Sequence, residues 1–369
     1  MENRKSITLV SNNYWTLYKF RYEVVELFIS KGYQVNLIAS DDPYSDKFVH
    51  DCIKKYYVPI NNRGISVIDE FRTFINLFKI YKSLNSDLIF HFTIKPNIYG
   101  SIICRILRIK SISFITGIGH IFINKNLLQR TIIILYKLAL SKVSEVWFTN
   151  NSDESLFKSL SIIKRNKTRI VPGSGINIPD NTIKYEHSPK ISFLMIARLQ
   201  NEKGVMEYLK CSEYYKDNPD ISFILIGDPQ TNDPSGVQLD TINNYVDKKA
   251  IIYMGYQEDI YKYITNASCV VLPSYREGMS TVLLEASAHK RPIITTRVPG
   301  CEDIIKDSSY GILCEPRDYK SLLQAIQKFI KLDHLEISMM VEKTFDHVKK
   351  NFSKDSVLMN YKSSINHIK

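Results

Sequence analysis

The chain has 369 residues, of which 44% are hydrophobic and 24% are charged. That length suggests two domains of roughly 150–200 residues each, and the composition is typical of a folded globular protein rather than a disordered one. The net charge of +11 lies entirely before residue 181, where 25 Lys and Arg stand against 14 Asp and Glu, because the remainder holds 24 of each.

Cysteine usage and hydropathy exclude several further classes. The six cysteines, at positions 52, 104, 211, 269, 301 and 314, form no C-x-x-C pair, which indicates buried reduced thiols rather than a disulfide framework or a zinc site. The N-terminal apolar run is too short for a signal peptide. No uncharged apolar run reaches the ~18 residues of a spanning helix, and the nearest candidate, TIIILYKLAL, contains Lys137. We therefore expect a chain that is soluble or lies on a membrane surface.

Short β-branched runs alternate with longer amphipathic runs through the first half of the chain. A helix is predicted at 18–32, and strands are predicted at 6–11, 34–40, 87–92, 111–116 and 145–150. Near-continuous apolar strands separated by helices indicate a parallel sheet that is covered on both faces. The pattern breaks at 169–190, a segment rich in Pro, Gly, Ser and Asn that is typical of an interdomain linker.

The alternation resumes after this linker. Strands are predicted at 191–197, 221–227, 250–255, 269–274 and 292–296, with helices at 203–215, 237–247, 258–266 and 280–289 and a helical tail from Asp318. The sequence therefore predicts an α/β protein of two doubly wound, Rossmann-like domains that face a central cleft. We place the domains at 1–180 and 181–345, with a C-terminal helix at 346–369 that packs back on the first domain. Such sheets bind ligands at the carboxyl ends of their strands.

The segment PSYREGMSTVLLEASAHKRP, residues 273–292, follows one of these strands and opens a helix. A helix N-terminus gathers unpaired N–H groups and a partial positive charge, which makes it a ready site for phosphate. Gly278 lets the backbone approach a ligand closely, and Ser280 is placed to cap the helix. Glu277 lies beside this turn and Glu285 lies within the helix, where a carboxylate can accept hydrogen bonds from two sugar hydroxyls.

Two cations are predicted at a neighbouring strand end. The segment ARLQNEKG, residues 197–204, places Arg198 and Lys203 in a loop that leads into a helix. Two cations there can hold a diphosphate and neutralise a leaving group. The small-residue loops PGSGIN (172–177) and GDPQ (227–230) are predicted at the same face of the sheet.

These motifs, together with PIITTRVPG and ILIGDP, make the chain resemble the retaining GT-B glycosyltransferases of family 4, over most of residues 1–330. The resemblance implies that Arg198 and Lys203 grip the diphosphate of a UDP-sugar. It implies that Glu285 holds the ribose hydroxyls and that Glu277 binds the donor sugar on the face of its anomeric carbon. The other residues that it places at the donor are Gly278, Met279, Ser280, Thr281 and Gly227.

The first half resembles a narrower subgroup, bacterial transferases that extend undecaprenyl-diphosphate-linked glycans. The resemblance is carried by NNYWTLYKFR (12–21), HFTIKPNIYG (91–100) and ITGIGHIF (115–122). It implies a polyprenyl-diphosphate-linked saccharide as the acceptor. In this family the leaving phosphate takes the proton of the acceptor hydroxyl during front-side attack, so a protein base is not required. The residues placed on the acceptor side are Asn13, Lys95, Asn97 and His120.

Neither a metal nor a cofactor is expected. The sequence contains no D-x-D pair of the kind that holds a divalent ion on a diphosphate, and it contains neither G-x4-GK[ST] nor a complete G-x-G-x-x-G. Arg198 and Lys203 are expected to supply the positive charge instead.

Residues 88–144 contain eight Lys or Arg and not one acid, interleaved with Ile, Leu, Phe and Tyr. Basic and apolar residues at helical spacing suit an anionic membrane surface, so we expect a peripheral protein on the cytoplasmic face of the inner membrane. The alternative is a buried helix with snorkelling lysines. Nucleic acid is not expected as a partner, because no aromatic RNA-binding signature accompanies the patch.

The combined interpretation is a transferase that moves a hexose or N-acetylhexosamine from a UDP-sugar to a lipid-diphosphate-linked saccharide, for an O-antigen, capsule or related surface glycan. One alternative is a GT-B-shaped sugar-nucleotide epimerase, which would leave the basic patch of residues 88–144 unexplained. Another is a non-catalytic protein that binds lipid surfaces, which would have no use for both glutamates and both cations.

Overall fold

The computed structural model describes residues 5–61, 66–118, 127–164, 166–179, 185, 188–229 and 233–368. The chain forms two compact units, one of Met1–Ser174 with Asp355–Lys369 and one of Gly175–Lys354. The expected boundaries were 180/181 and 345/346, so the chain enters the second unit earlier and leaves it later than expected. It leaves later because the long helix at His334–Phe352 buries Ile337, Val341 and Phe352 in the core of the second unit.

The first unit is built on a seven-stranded parallel sheet with the strand order β3-β2-β1-β4-β5-β6-β7. Its central strands are buried at every position, as the strands of a sheet covered on both faces are. The strands are β1 (Ser6–Asn13), β2 (Gln34–Ser40), β3 (Ile53–Tyr57), β4 (Leu88–Phe92), β5 (Ser111–Ile115), β6 (Glu145–Phe148) and β7 (Lys167–Ile170).

In the part of the first unit that the structure describes, five α-helices connect these strands, and polar side chains fix where several of them begin. The helices are α1 (Tyr14–Ser30), α2 (Val67–Ser83), α3 (Ser101–Leu107), α4 (Leu127–Leu140) and α5 (Asn151–Ser159). The Asn13 side chain accepts a hydrogen bond from the backbone N–H of Thr16, and Asn150 does the same for Asp153. Such caps satisfy donors that the first turn of a helix leaves unpaired.

The second unit holds a six-stranded parallel sheet with the order β10-β9-β8-β11-β12-β13. The strands are β8 (Ile191–Ile196), β9 (Ile221–Ile226), β10 (Ile252–Tyr253), β11 (Cys269–Leu272), β12 (Ile293–Thr296) and β13 (Ile312–Cys314). The helices are α6 (Val205–Tyr214), α7 (Leu239–Asp247), α8 (Tyr261–Asn266), α9 (Thr281–Ala288), α10 (Tyr319–Ile330) and α11 (His334–Phe352).

The chain then returns to the first unit through α12 (Lys354–Ser364). The Tyr361 side chain is buried there, with its ring 4.9 Å from that of Trp147 and 5.4 Å from that of Phe90. The core of the first unit is therefore assembled from both ends of the chain.

Three strands were missed from the sequence, and all three lie at sheet edges. They are β3, β7 and β13, and β7 occupies the start of the segment 169–190 that was predicted to be a linker. An edge strand has one neighbour, and β3 and β7 are accordingly less buried and less apolar, whereas β13 is apolar but only three residues long. The side chains of β7, for example, are exposed or half-buried. Within the described part of the chain, no helix is both long and apolar enough to cross a membrane.

Candidate active site

The strand order of the second sheet reverses between β8 and β11, which lie side by side and parallel. In open α/β sheets the crevice beyond the carboxyl ends of such a pair is the usual ligand site. The loop after β8 carries Arg198 and Lys203, and the loop after β11 carries Glu277 and Gly278. The residues assigned to the donor therefore lie at the carboxyl ends of the strands of this sheet.

Glu277 is the centre of this arrangement. Its Oε1 accepts a hydrogen bond from Lys203 Nζ at 2.6 Å and another from Ser274 Oγ at 2.7 Å. The Lys203 and Glu277 side chains are 20% and 10% exposed, so the ion pair is largely shielded but still reaches solvent. A cation and a carboxylate that were assigned to different parts of the donor are thus direct neighbours.

The two loops that carry this ion pair are held against each other. The backbone N–H of Tyr275 donates to Glu202 O at 2.8 Å, and the Tyr275 hydroxyl donates to Glu207 Oε1 at 2.8 Å. Gly204 has a φ of +74°, and a Cβ there would lie 2.1 Å from Pro273 O. Only glycine allows the loops to approach this closely, so the position of Lys203 relative to Glu277 is fixed by the backbone.

Helix α9 begins at Thr281, three residues after Gly278. The Ser280 side chain accepts a hydrogen bond from the backbone N–H of Leu283, and Thr281 is the first helical residue. Met279 is half-buried against the core of the unit. The helix N-terminus therefore lies directly beside the Lys203–Glu277 pair, where its partial positive charge favours an anion.

Glu285 lies on the same helix and is half-buried. Burial is the main cause that raises the pKa of the Tyr261 hydroxyl, and the negative charge of Glu285 adds to it. The Tyr261 ring also stacks on His289, with ring centres 5.1 Å apart. Glu285 thus lies near Tyr261, which stacks on His289. In this position its carboxylate can accept hydrogen bonds from sugar hydroxyls.

Arg198 and Gly227 have simpler surroundings. The Arg198 side chain is exposed, and among the described residues no acid pairs with it. Gly227 follows β9, and a Cβ on it would lie 1.9 Å from Ala197 O. Gly227 therefore lets the ends of β8 and β9 pack tightly beside Arg198, whose side chain stays available for an anion.

The first sheet reverses its strand order between β1 and β4, and unusual backbone conformations occur at the carboxyl ends of these strands. Thr93 directly follows β4 and has a φ of +68°, a conformation that β-branched residues rarely adopt. Its hydroxyl donates to Asn12 Oδ1 at 2.7 Å, near the carboxyl end of β1. A turn of π-helix follows at 96–100. Strained residues and π-turns cluster at functional sites.

The predicted acceptor-side residues have the following contacts. Lys95 Nζ donates to Glu70 Oε1, and the Tyr99 hydroxyl donates to Glu70 Oε2 at 2.7 Å. Asn97 is buried and its Nδ2 donates to Phe114 O at 3.0 Å, while its Oδ1 has no partner. Asn13 caps α1, and His120 lies outside the described residues.

Sequence reasoning missed four residues, namely Ser274 beside Glu277 in the second unit, and Glu70, Thr93 and Asn12 in the first unit. Ser274 lies in the quoted 273–292 segment, where a hydroxyl three residues before a glutamate was a usable signal. Glu70 is on α2, a helix that was not predicted, and Thr93 looks like any strand residue. Their roles depend on tertiary contacts, which a single sequence does not reveal.

The geometry at the edge of the second sheet fits one kind of ligand. A helix N-terminus and cations favour a phosphate group, and the adjacent carboxylates favour hydroxyls. These features, on a doubly wound sheet, are those of a GT-B glycosyltransferase. The chain belongs to that class: residues 6–150 match the family Glycosyl transferase 4-like and residues 179–344 match the family Glycosyl transferases group 1. The predicted glycosyltransferase activity is confirmed.

Relatives match along most of the chain. A Campylobacter jejuni N,N'-diacetylbacillosaminyl-diphospho-undecaprenol alpha-1,3-N-acetylgalactosaminyltransferase is 26% identical over 88% of this chain and 89% of its own. An Escherichia coli UDP-Gal:alpha-D-GlcNAc-diphosphoundecaprenol alpha-1,3-galactosyltransferase is 24% identical over 82% and 81%.

Solved structures support the fold. Sucrose-phosphate synthase from Thermosynechococcus elongatus superposes with a TM-score of 0.79 at 17% identity, over 99% of each chain. Anabaena HepE in complex with UDP-glucose gives 0.77 at 15% identity, over 98% of this chain and 99% of that one. The predicted α/β class with two Rossmann-like units is confirmed.

Proposed function

We propose that the protein transfers a hexose or N-acetylhexosamine, with retention of configuration, from a UDP-sugar to a saccharide carried on a polyprenyl diphosphate. The Lys203–Glu277 pair carries this proposal. In a nucleotide sugar the diphosphate and the sugar are joined through one anomeric C–O–P linkage. A site for it therefore needs a cation for phosphate and a carboxylate for hydroxyls side by side, and these two groups are 2.6 Å apart.

The chemistry requires little more than positioning and charge. The bond between the anomeric carbon and the phosphate oxygen breaks, a bond from that carbon to the acceptor oxygen forms, and the acceptor proton passes to the leaving phosphate. Lys203, Arg198 and the N-terminus of α9 stabilise the charge that develops on the diphosphate. Glu277 orients the donor sugar and Glu285 orients the ribose. With these cations in place, the reaction needs neither a metal nor a cofactor.

The acceptor is bound by the first unit. Both relatives are named for an acceptor on diphosphoundecaprenol, and this supports the same class of acceptor here. Lys95 lies at the carboxyl ends of the first sheet, where Thr93 is strained, and its ammonium group is ion-paired with Glu70, to which Tyr99 also donates. An acceptor diphosphate competes with Glu70 for this ammonium group. Lys95 contacts the acceptor diphosphate, and the product contributes to a bacterial surface glycan.

A membrane surface is the second partner, and the protein lies on the cytoplasmic face of the inner membrane. Helices α3 and α4 carry exposed apolar side chains beside exposed cations. Ile106 on α3 and Ile134 on α4 are 56% and 65% exposed, and Arg105 and Arg130 lie close to them in sequence. Apolar groups flanked by Lys and Arg favour the interface of an anionic bilayer.

The test is a panel of UDP- and GDP-sugars offered with a synthetic lipid-diphosphate saccharide, with products read by mass. The expected product gains one hexose or N-acetylhexosamine, and its anomeric configuration, read by NMR, equals that of the donor. Each donor is also incubated without acceptor, because an epimerase would then convert the donor alone. Transfer by the parent but not by Lys203→Met supports the assignment, and equal transfer by both would contradict it.

A further inference from the structure

A basic cavity lies in the first unit at the amino ends of its strands, whereas Thr93 and Lys95 lie at the carboxyl ends. We call it the lysine cavity. It has a volume of about 890 Å³ and lies where α4 and α5 end and where β6 and β7 begin. Its lining includes Lys137, Lys142, Lys164, Lys167, Ser141 and Ser161.

Most of the positive charge in the lysine cavity is not neutralised by acids. Glu145 is fully buried at the start of β6, and its Oε1 accepts from Lys167 at 2.9 Å and from Arg169 at 3.1 Å. Its Oε2 accepts from Trp147 Nε1 at 2.6 Å. Lys167 is therefore paired. Among the residues that the structure describes, no acid pairs with the other three lysines of the cavity.

Carbonyl groups at the ends of both neighbouring helices already have donors other than these three lysines. Cations often gather at helix C-termini because the last carbonyls are unsatisfied. Here Leu140 O at the end of α4 already accepts from Asn166 Nδ2, and Lys158 O at the end of α5 accepts from the Ser161 N–H at 2.9 Å. The ammonium groups are thus available to a ligand outside the fold.

The surface next to the lysine cavity is apolar and exposed. Ile134 and Leu138, one helical turn apart on α4, are 65% and 48% exposed and lie on either side of Lys137 in sequence. Arg105 of α3 reaches this end of α4 and donates to Ser141 Oγ at 3.1 Å. A ligand with both an anionic and a hydrocarbon part fits this surface better than a small anion in solution.

We propose that the lysine cavity binds the phosphate-bearing headgroup of an anionic phospholipid, while Ile134 and Leu138 contact its hydrocarbon. The inference rests on the proposed membrane association and adds a discrete site to it. That site is distinct from the acceptor diphosphate, because Lys95 lies at the carboxyl ends of the strands and the cavity lies at their amino ends. Ammonium and hydroxyl groups around a cavity recognise phosphate itself, whereas an evenly charged surface responds only to charge density.

The test compares two kinds of vesicle that are matched for zeta potential. One takes its negative charge from phosphatidylglycerol and the other from cholesteryl hemisuccinate, a carboxylate. The parent is expected to bind the phospholipid vesicles about tenfold more tightly, the effect of one charge-assisted contact. The variant Lys142→Gln/Lys164→Gln should bind both vesicles equally. Flotation at several lipid concentrations measures this ratio.

The matched control is Lys79→Gln/Lys82→Gln, which removes the same charge from exposed positions on α2. It should keep the preference for phospholipid. A parent without the preference, or a control that also loses it, would overturn the proposal. Circular dichroism confirms that both variants fold.

Glycerol 1-phosphate distinguishes a lipid from a soluble phosphate ester. If calorimetry shows that it binds the parent but not Lys142→Gln/Lys164→Gln, and the vesicle preference is absent, the cavity serves a soluble anion and the lipid assignment is wrong. Transfer to a short-chain, water-soluble acceptor should be equal in the parent and this variant. If the parent catalyses no transfer, the proposed function fails while the vesicle comparison still stands.

Discussion

Substitutions of the two members of the Lys203–Glu277 pair should have opposite effects on UDP binding. In the structure Lys203 Nζ is bound to Glu277, so a diphosphate must compete with this carboxylate for the ammonium group. The variant Glu277→Gln removes the competitor and leaves Lys203 in place. It should therefore bind UDP, which lacks the sugar, more tightly than the parent, although it should transfer sugar poorly. Lys203→Met should bind UDP more weakly.

The magnitudes follow from the surroundings of the pair. Lys203 and Glu277 are 20% and 10% exposed, intermediate between a surface pair, typically worth up to about 1 kcal/mol, and a fully buried one. Releasing Lys203 should thus tighten UDP binding by about 1 kcal/mol, or roughly fivefold. Losing Lys203 removes a charge-assisted contact of about 1.5–3 kcal/mol, which weakens UDP binding by roughly 10- to 150-fold.

Titration calorimetry with UDP measures all four proteins of the cycle: the parent, both single variants and the double variant. In the double variant, Glu277→Gln should no longer tighten binding, because no lysine is released. Ser274→Ala, which removes the other donor to Glu277, serves as a control that leaves Lys203 charged. If Glu277→Gln and Lys203→Met weaken UDP binding to the same extent, Lys203 does not exchange partners and this reasoning is wrong.

Three further predictions concern metal, membrane and pH. Turnover should persist in excess EDTA if Arg198 and Lys203 supply the positive charge as proposed; activity that is abolished and then returns with Mn²⁺ would contradict this. Replacing four basic residues of the first unit with Gln should reduce flotation with anionic vesicles and leave UDP affinity unchanged, and a variant that floats like the parent would refute the membrane assignment. These four residues are Arg105, Arg108, Arg130 and Lys137. Burial lowers the pKa of His91 to about 3, below the ~6.5 of an unfolded histidine, so the unfolded chain is protonated first as pH falls. The unfolding free energy should then drop by up to about 1.4 kcal/mol per pH unit below roughly pH 6.5, and urea titrations of His91→Gln should lack this part of the slope.

The elements around the donor site were predictable because local and tertiary signals agree there. The strand CVVL is apolar throughout, Ser280 is a good cap, and the helix that follows contains Leu, Glu and Ala, which favour helix formation. Glu277, Glu285, Arg198 and Lys203 could be placed at one sheet edge, because parallel strands end on the same side.

The contacts between distant segments were not predictable. Lys203 and Glu277 are 74 residues apart, and their pairing depends on the close approach of Gly204 to Pro273. Likewise, Glu70 lies on a helix that was missed, so its contact with Lys95 gave no signal in the sequence. The sequence pattern indicates at which ends of the strands the functional residues lie. The partner of each charged side chain depends on how the loops pack.

The return of the chain to the first unit through α12 has a consequence for biosynthesis. Tyr361 fills the core beside Phe28, Phe90 and Trp147, so that core lacks one of its buried aromatic rings until α12 has left the ribosome. The second unit, Gly175–Lys354, is continuous and is translated before then. It can therefore fold first, and the nascent chain should hold a folded second unit before the core of the first unit is complete.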